Sequence, residues 1–232
     1  MTEWIYTLKF RSSVSVFSGL AVAGLVDRMV MRNHKKIVTV HSPTQNGEVE
    51  TEQLQKLPFI PGSSVKGRWR FFAERLLQSN GLPDGLIIHK SNKPSCKDPN
   101  NLCTLCKLFG SPAFPSMLFV GQAELDGTLQ DHFEKLLEQN PNPVVHPDTE
   151  LRPGTAISRI TRTTLKDHLF FNEAVPPVIF SGKLIINDTL NDNEEKFLKA
   201  SASLVDRIGG RKSIGMGALD GGIRIASKGG DR

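Results

Sequence analysis

Residues 57–71, LPFIPGSSVKGRWRF, join an apolar turn to the start of a basic helix. Two prolines stiffen the entry to this helix, and Gly62 permits an unusual backbone angle there. Ser63 or Ser64 can then cap the free amide groups of the first turn. The stretch therefore predicts a helix over about residues 63–78 whose N-terminus can bind an anion.

Three cations follow within the first turns of this helix. Lys66, Arg68 and Arg70 place positive charge beside its N-terminus. The helix dipole and the oriented amide groups attract the same negative charge as these side chains, so the pattern predicts a phosphate-binding site. The alternative is an ordinary capped helix with a solvated cationic face, and a single motif does not decide between the two.

The composition is that of a soluble globular protein with an acidic partner. The chain has 232 residues, 38% of them hydrophobic, and a formal net charge of +5. This length suffices for one core, so we expect residues 1–232 to form a single domain with insertions. The positive charge favours nucleic acid as the partner. An uncharged run at residues 12–26 is shorter than the ~20 apolar residues of a membrane span, so we expect a cytoplasmic protein with no membrane partner.

Alternation of apolar and polar residues over residues 4–16 predicts a first β-strand. The residues of its apolar face are Trp4, Tyr6, Leu8 and Phe10, and those of its partly basic face are Ile5, Thr7, Lys9 and Arg11. Further strands are predicted at residues 117–125 and 178–186, and residues 214–226 close the sheet. With a helix after the first strand and another before the last, this order is that of a ferredoxin-like (RRM-like) α+β fold.

The second of these helices is predicted over residues 191–207 from the spacing of its apolar residues. The residues expected to face the core are Phe197, Leu198, Leu204 and Val205. Between the first strand and the first helix, a loop with two glycines at residues 18–27 precedes a polar stretch at residues 42–55. We expect this polar stretch to be an exposed excursion from the sheet.

Four potential metal ligands lie close together in the sequence outside this core. His89, Cys96, Cys103 and Cys106 have the spacing H-x6-C-x6-C-x2-C and include all three cysteines of the chain. Three thiolates and one imidazole make a closed tetrahedral shell for structural Zn²⁺, within an insertion at about residues 80–113. In the alternative the thiols only pack in the interior, although a loop rich in Pro, Asn and Lys offers them little apolar core. The odd number of cysteines disfavours a disulfide.

A second insertion, at about residues 144–177, is predicted to be a protruding β-hairpin. Its sequence alternates basic and β-branched residues, with Arg159 and Arg162 among them, and carries two phenylalanines near its end. Such a hairpin can lie along a nucleic-acid backbone and wedge apolar side chains between bases. A solvated charged hairpin is the alternative.

Near the end of the chain, residues 208–219, IGGRKSIGMGAL, place four glycines around Arg211 and Ser213. Successive amide groups, such as those of Gly209 and Gly210, can form a nest for phosphates. The loop is not a nucleotide-binding P-loop, because the order G-x-x-x-x-G-K-[ST] is absent.

The motifs PFIPGSSVKGRWR, RITRT and GGRKSIGMG and the His/Cys insertion together resemble the RAMP superfamily of CRISPR-associated proteins. The similarity covers nearly the whole chain and is greatest to the repeated backbone subunit of type III effector complexes. It implies a palm that grips CRISPR guide RNA, a thumb hairpin that kinks the duplex of guide and complementary target RNA, and a zinc-bearing lid. It also implies a head-to-tail filament with other effector subunits.

The resemblance further implies a catalytic role for Asp27, because residues 24–30, GLVDRMV, are similar to the setting of the catalytic aspartate in cleaving members. The carboxylate would accept a proton, or hold Mg²⁺ or Mn²⁺, while the 2'-hydroxyl of the target attacks the adjacent phosphate. Without the family, a turn residue is the alternative. The residues expected to bind RNA are Ser63, Ser64, Lys66, Arg68, Arg70, Arg159, Arg162, Gly209, Gly210, Arg211 and Ser213.

Two other functions remain open from the sequence. A scaffold subunit would bind guide RNA in the same way and have no chemistry of its own, with Asp27 as a loop residue. A stand-alone nuclease that trims precursor guide RNA would need a histidine near the reacting groups, and His34 and His41 are the candidates close to the loop.

Overall fold

The computed structural model describes residues 2–21, 26–44, 47–79, 85–89, 95–139 and 145–227, and for residues 34–44, 47–55 and 99 it describes the backbone alone. In chain order the elements are β1 (Thr2–Phe10), β2 (Arg32–Thr44), β3 (Gly47–Ile60), α1 (Gly62–Leu77), α2 (Thr104–Phe109), β4 (Leu118–Leu125), α3 (Gly127–Gln139), β5 (Glu150–Ile157), β6 (Thr164–Ala174), β7 (Ile179–Ile186), α4 (Asp192–Ser203) and β8 (Leu219–Ser227). Short 3-10 helices lie at Pro99–Asn101 and Lys212–Ile214.

The strands form a six-stranded sheet of order β2-β3-β4-β7-β1-β8 and a separate two-stranded sheet of β5 and β6. All strand pairs in both sheets are antiparallel. Within the large sheet, β1, α1, β4, β7, α4 and β8 follow the order of a ferredoxin-like unit, with β1 between β7 and β8. The predicted mixed α+β class with antiparallel sheets is confirmed.

Strand β1 shows why its alternating sequence forms the centre of this sheet. Trp4, Tyr6, Leu8 and Phe10 are all buried in the core, as the sequence predicted, whereas Ile5 on the opposite face is 39% exposed. Burial of such large side chains is the main favourable term for folding. The strand is shorter than predicted, since it ends at residue 10.

Helix α1 buries a single stripe formed by Val65, Trp69, Ala73 and Leu77, spaced four residues apart. The indole Nε1 of Trp69 donates a hydrogen bond of 2.8 Å to Ser201 Oγ, which joins α1 to α4. These contacts place both helices on the face of the sheet that the large residues of β1 line.

The start of α1 differs from the sequence prediction. The helix begins at Gly62 after Pro61, and no side chain caps it, so the capping role predicted for Ser63 or Ser64 is wrong. Gly62 also does not have a positive φ angle. Its lack of a side chain matters for a different reason, because a Cβ atom there would lie 1.9 Å from the carbonyl oxygen of Val120 in β4.

Helix α4 begins with a capping box in which the side chain of Asn191 accepts from the Glu194 amide and the Glu194 side chain accepts from the Asn191 amide. Phe197, Leu198 and Val205 are buried as predicted. Leu204 is 46% exposed, so its predicted inward position is wrong. The helix ends at Ser203, and the backbone beyond it turns towards β8.

Other differences concern segments with polar sequences. The described residues of the polar stretch predicted as an excursion, 42–44 and 47–55, lie in the long β2–β3 hairpin, in which twelve residues of β2 pair with twelve of β3. Helix α3 was not predicted. The hairpin predicted at about residues 144–177 is present as β5 and β6. No helix in the described part of the chain is long and apolar enough to cross a membrane.

Replacement of Gly62 by Ala should destabilise the protein, by about 1–3 kcal/mol, because the added methyl group meets the backbone of β4. Gly67→Ala in the same helix is the matched control, since nothing lies within 4 Å of the added atom. It should stabilise the helix by about 0.5–1 kcal/mol. Urea unfolding of the two variants and the wild type measures both effects, and equal effects of the two substitutions would contradict the close approach.

Candidate functional site

The predicted metal ligands come together in the structure. The ligand atoms of His89, Cys96, Cys103 and Cys106 all lie within 4.8 Å of one another. His89 Nδ1 is 3.3 Å from Cys103 Sγ and 3.6 Å from Cys106 Sγ. A tetrahedral zinc ion with its usual bond lengths would separate a nitrogen and a sulfur ligand by about 3.6 Å. The cluster can therefore bind a metal ion such as zinc.

Backbone amide groups surround the sulfur atoms of this cluster. The amide of Cys106 donates to Cys103 Sγ and that of Cys103 to Cys96 Sγ, each at 3.4 Å, and the amide of Cys96 donates to Cys106 Sγ at 3.5 Å. Burial raises the pKa of the Cys103 thiol to about 11, because a buried thiolate lacks solvation. A bound cation supplies the missing charge stabilisation.

The expectation that this loop lacks an apolar core is wrong. Cys103 and Cys106 belong to the same hydrophobic cluster as β1 and α1, together with Leu105, Leu108 and Phe109 of α2. The ring of Phe109 packs edge-on against Trp69, with 5.6 Å between the ring centroids. Apolar packing and the predicted metal ligation therefore concern the same segment, and an experiment must separate their effects.

Replacement of Cys103 by Ser should lower the metal content of the purified protein and loosen residues 95–106, while the sheet stays folded. Leu108→Ala in α2 is the control, because it removes a fully buried side chain but no ligand. This control should lose stability and keep its metal. Elemental analysis and hydrogen exchange measure the two effects, and wild-type protein purified without chelators that contains no zinc would contradict the site.

Asp27 lies in an exposed bend that is hydrogen-bonded to the base of the β5–β6 hairpin. Its amide donates to the Phe171 carbonyl at 2.8 Å, and its Oδ2 accepts from the Phe171 amide at 2.6 Å. The other carboxylate oxygen has no hydrogen-bond partner among the described residues. Residues 24 and 25 of the motif around Asp27 lie outside the described part of the chain.

The segment after Asp27 is held by a buried network that the sequence did not predict. Arg32 forms ion pairs of 2.7 Å with both Asp148 and Glu173, and the side chains of all three are at most 6% exposed. Glu173 also accepts from the Val30 amide at 2.9 Å. Burial alone would raise the pKa of Glu173, but the charge of Arg32 and these hydrogen bonds outweigh burial and lower it.

Glu173→Gln should cost about 3 kcal/mol of stability at neutral pH, because it leaves Arg32 buried with one carboxylate fewer. Since the pKa of Glu173 is lower in the folded state, its contribution is present above the ordinary value of 4.5 and is lost as the pH falls below it. The difference between variant and wild type should therefore shrink in acid. Urea unfolding across this pH range measures it.

The control for this prediction is Glu195→Gln, which removes an exposed ion pair with Lys199 on α4. Exposed pairs of this kind contribute less than about 0.5 kcal/mol. Equal losses in the two variants would show that the Arg32 network does not stabilise the fold more than a surface pair does.

The three cations of α1 do not converge on the helix N-terminus. Lys66 Nζ donates to the Ser116 hydroxyl and to the Leu118 carbonyl, at the end of the sheet where β1 begins. Arg68 forms an ion pair of 2.9 Å with Asp206. The Asp206 carbonyl accepts from the amide of Leu219 in β8, which pairs with the last residue of β1. The phosphate site predicted from all three side chains is thus divided between two places.

Lys66 and Arg70 remain together on the first of these sides. Arg70 donates from Nη1 to the Gly110 carbonyl at 2.5 Å. Burial, and then the charge of Arg70, lower the pKa of Lys66. Neither cation has a carboxylate partner in the described part of the chain. Ser63 is exposed and Ser64 half-buried at the start of the same helix.

In the glycine-rich loop, the group available to a phosphate is the guanidinium of Arg211, because the Gly210 amide is already hydrogen-bonded. The amide of Gly210 already donates to the Ser15 carbonyl at 2.7 Å, and Gly209 has a φ of 97° in close contact with the same carbonyl. Arg211 extends over the ring of Phe170, 4.6 Å from its centroid. Ser213 is exposed nearby in the chain.

Asp27 and Arg211 thus contact adjacent residues at the base of the hairpin, the backbone of Phe171 and the ring of Phe170. Arg159 and Arg162 lie at the hairpin tip, exposed, beyond the last strand pair at residue 164. At about 3.3 Å per residue, the tip is more than about 20 Å from the base. The side chains of His34 and His41 lie outside the described part of the structure.

The sequence pattern of the RAMP superfamily matches residues 37–220, which include most of the sheet, both core helices and the His/Cys cluster. The chain belongs to this superfamily. Membership indicates a CRISPR-associated RNA-binding function, and RAMP domains are ferredoxin-like, in agreement with the strand order. No curated protein matched the chain.

Proposed function

We propose that this protein is a guide-RNA-binding backbone subunit of a type III CRISPR ribonucleoprotein and that it cuts the complementary target RNA. The observation that carries the proposal is the position of Asp27 at the hairpin base. There an exposed carboxylate is bound to the strand that also holds Arg211 through Phe170. Copies of the subunit stack head-to-tail with other effector subunits along the guide.

Five of the predicted RNA-binding cations have no carboxylate partner among the described residues and hold RNA phosphates. They are Lys66, Arg70, Arg159, Arg162 and Arg211, with the hydroxyl groups of Ser63, Ser64 and Ser213 as neutral donors. Arg68 contributes less, because Asp206 neutralises it. Recognition is through backbone and shape, because a repeated subunit must accept many guide sequences.

The hairpin acts as the thumb that kinks the duplex. Ile160 at its tip is 95% exposed, between Arg159 and Arg162, so an apolar wedge stands between two phosphate-binding groups. A kink of the target beside Asp27 places the target 2'-hydroxyl in line with the next phosphate, which is the geometry that cleavage requires. The His/Cys insertion, with its metal, is the lid.

In the reaction, the free oxygen of Asp27 accepts the proton of the target 2'-hydroxyl. The 2'-oxygen forms a bond to the adjacent phosphorus, the bond from phosphorus to the 5'-oxygen breaks, and the leaving oxygen takes a proton from water. The Phe171 amide fixes the carboxylate through Oδ2 and leaves the other oxygen for the proton.

The described residues contain no ready set of ligands for a catalytic Mg²⁺ or Mn²⁺ at Asp27. The His/Cys set is the one group of three or more ligands found among them, and Asp27 is not part of it. An ion at Asp27 would take its other ligands from RNA and water, where it would stabilise phosphate charge. No step above depends on it.

A scaffold subunit is the second candidate, and the bond between Asp27 and the Phe171 amide favours it. This bond gives the carboxylate a structural role at the exposed bend. The two functions share every RNA contact and differ only in the chemistry at Asp27.

Asp27→Asn and Asp27→Ala in the assembled complex separate the two candidates. Asn keeps an oxygen for the Phe171 amide but cannot accept the proton, whereas Ala loses both functions. Cleavage opposite this subunit should fall at least ~10²-fold in both variants, with guide and target binding kept in the Asn variant. Labelled target RNA on a denaturing gel and filter binding measure these effects.

The control is Asp131→Asn, an exposed aspartate of α3. It should leave both cleavage and binding at the wild-type level. Wild-type cleavage by Asp27→Asn would support the scaffold subunit, and so would cleavage lost only in the Ala variant.

A further inference from the structure

The bend that carries Asp27 also carries an arginine for which the proposed function has no use. Arg28 is exposed, and its guanidinium carbon lies 5.5 Å from the centroid of the Phe17 ring. It has no ion pair with any of the described residues. A cation over an aromatic face stays charged and oriented without being neutralised. Its charge is therefore available to a ligand.

The backbone on both sides of this arginine is fixed. The Glu173 amide donates to the Arg28 carbonyl at 2.9 Å, and Asp27 is bonded to Phe171 through both its amide and its carboxylate. Val30, two residues later, donates to the buried carboxylate of Glu173. The Asp27 carboxylate and the Arg28 guanidinium thus belong to neighbouring residues whose backbone is held by hydrogen bonds.

The Phe17 ring connects this segment to the glycine-rich loop. A Cβ atom at Gly210 would lie 2.8 Å from the ring of Phe17, so the two are packed together. Arg211 follows directly and lies over Phe170. Arg28 and Arg211, each over an aromatic ring, therefore belong to two segments that pack together through Phe17.

An exposed carboxylate by itself opposes the reaction assigned to it. It repels the phosphodiester that must approach it, and attack by the 2'-oxygen adds further negative charge to that phosphate. Electrostatic stabilisation of such charge requires a donor held in place before the reaction. Arginine suits this task, since its planar N–H groups match two phosphate oxygens at once.

We propose that Arg28 is a second catalytic residue, which binds the non-bridging oxygens of the scissile phosphate and stabilises the charge that develops on them. The proposal rests on the proposed function, because it concerns the phosphate that Asp27 acts on. Arg28 neither gives nor takes a proton. The proton of the 2'-hydroxyl goes to Asp27, and the bond changes are those given above.

Arg28→Ala and Arg28→Lys in the assembled complex test this role in single-turnover cleavage with saturating target. Cleavage should slow by about 10²–10³-fold in the Ala variant. Lys should recover only part of the rate, because it lacks the planar pair of donors. Arg75→Ala is the matched control, since Arg75 also lies over a phenylalanine, 4.4 Å from the Phe71 centroid, on the exposed side of α1. Its rate should be that of the wild type.

Sulfur substitution of each non-bridging oxygen at the scissile phosphate tests for direct contact with Arg28. The effect of sulfur on the cleavage rate would not change in the variant if Arg28 had only a structural role. In the wild type both diastereomers should be cut more slowly than the unsubstituted target, and in Arg28→Ala this difference should disappear. A difference that persists in the variant overturns the proposal. So does a difference that Mn²⁺ or Cd²⁺ relieves, because it assigns the oxygen to a metal ion.

The Asp27 variants keep the two proposals distinguishable. If Asp27→Asn stops cleavage while Arg28→Ala cuts at the wild-type rate, Asp27 keeps its role and Arg28 loses it. If Asp27→Asn cuts normally, or if the wild-type complex does not cut, the proposed cleavage fails and the role of Arg28 fails with it.

Discussion

The surface around Asp27 depends on the burial of one guanidinium group between two carboxylates. Arg32, Asp148 and Glu173 lie in three separate segments of the chain, and their ion pairs are almost inaccessible to water. A buried charge is costly unless its partners are in place, so the network permits one arrangement of these segments. That arrangement fixes the strand β6 against the bend that contains Asp27.

The chemistry available at the hairpin base follows from this constraint. Asp27 is exposed and is held to Phe171 of β6 by its backbone amide and by its carboxylate Oδ2, while its other carboxylate oxygen has no partner among the described residues. Arg28 and Arg211 are held by aromatic rings and not by carboxylates. Two arginines without a carboxylate partner therefore lie on the segments that hold a potential base, and positive charge of this kind suits a phosphodiester substrate.

The His/Cys cluster stabilises a different part of the fold. It joins residues 85–89 and 95–106, which are also connected by hydrogen bonds between Ile87 and Thr104 and by packing on the core. The sequence identified all four residues of this cluster, because the chain has only three cysteines and the four residues lie close together along the chain. Short spacing along the chain is enough to predict such a cluster, because potential metal ligands that are close in sequence can reach one another without distant parts of the fold.

The sequence alone determined the elements whose signals are local. Alternation gave the buried face of β1, the proline and glycine at residues 61 and 62 gave the start of α1, and the spacing of apolar residues gave most of α4. Only the tertiary structure decided that Gly62 meets β4, that Lys66 and Arg68 point to different ends of the sheet, and that Arg32 lies beside Glu173. Each of these depends on residues more than 50 positions apart, and no periodicity or motif records which distant backbone a side chain will meet.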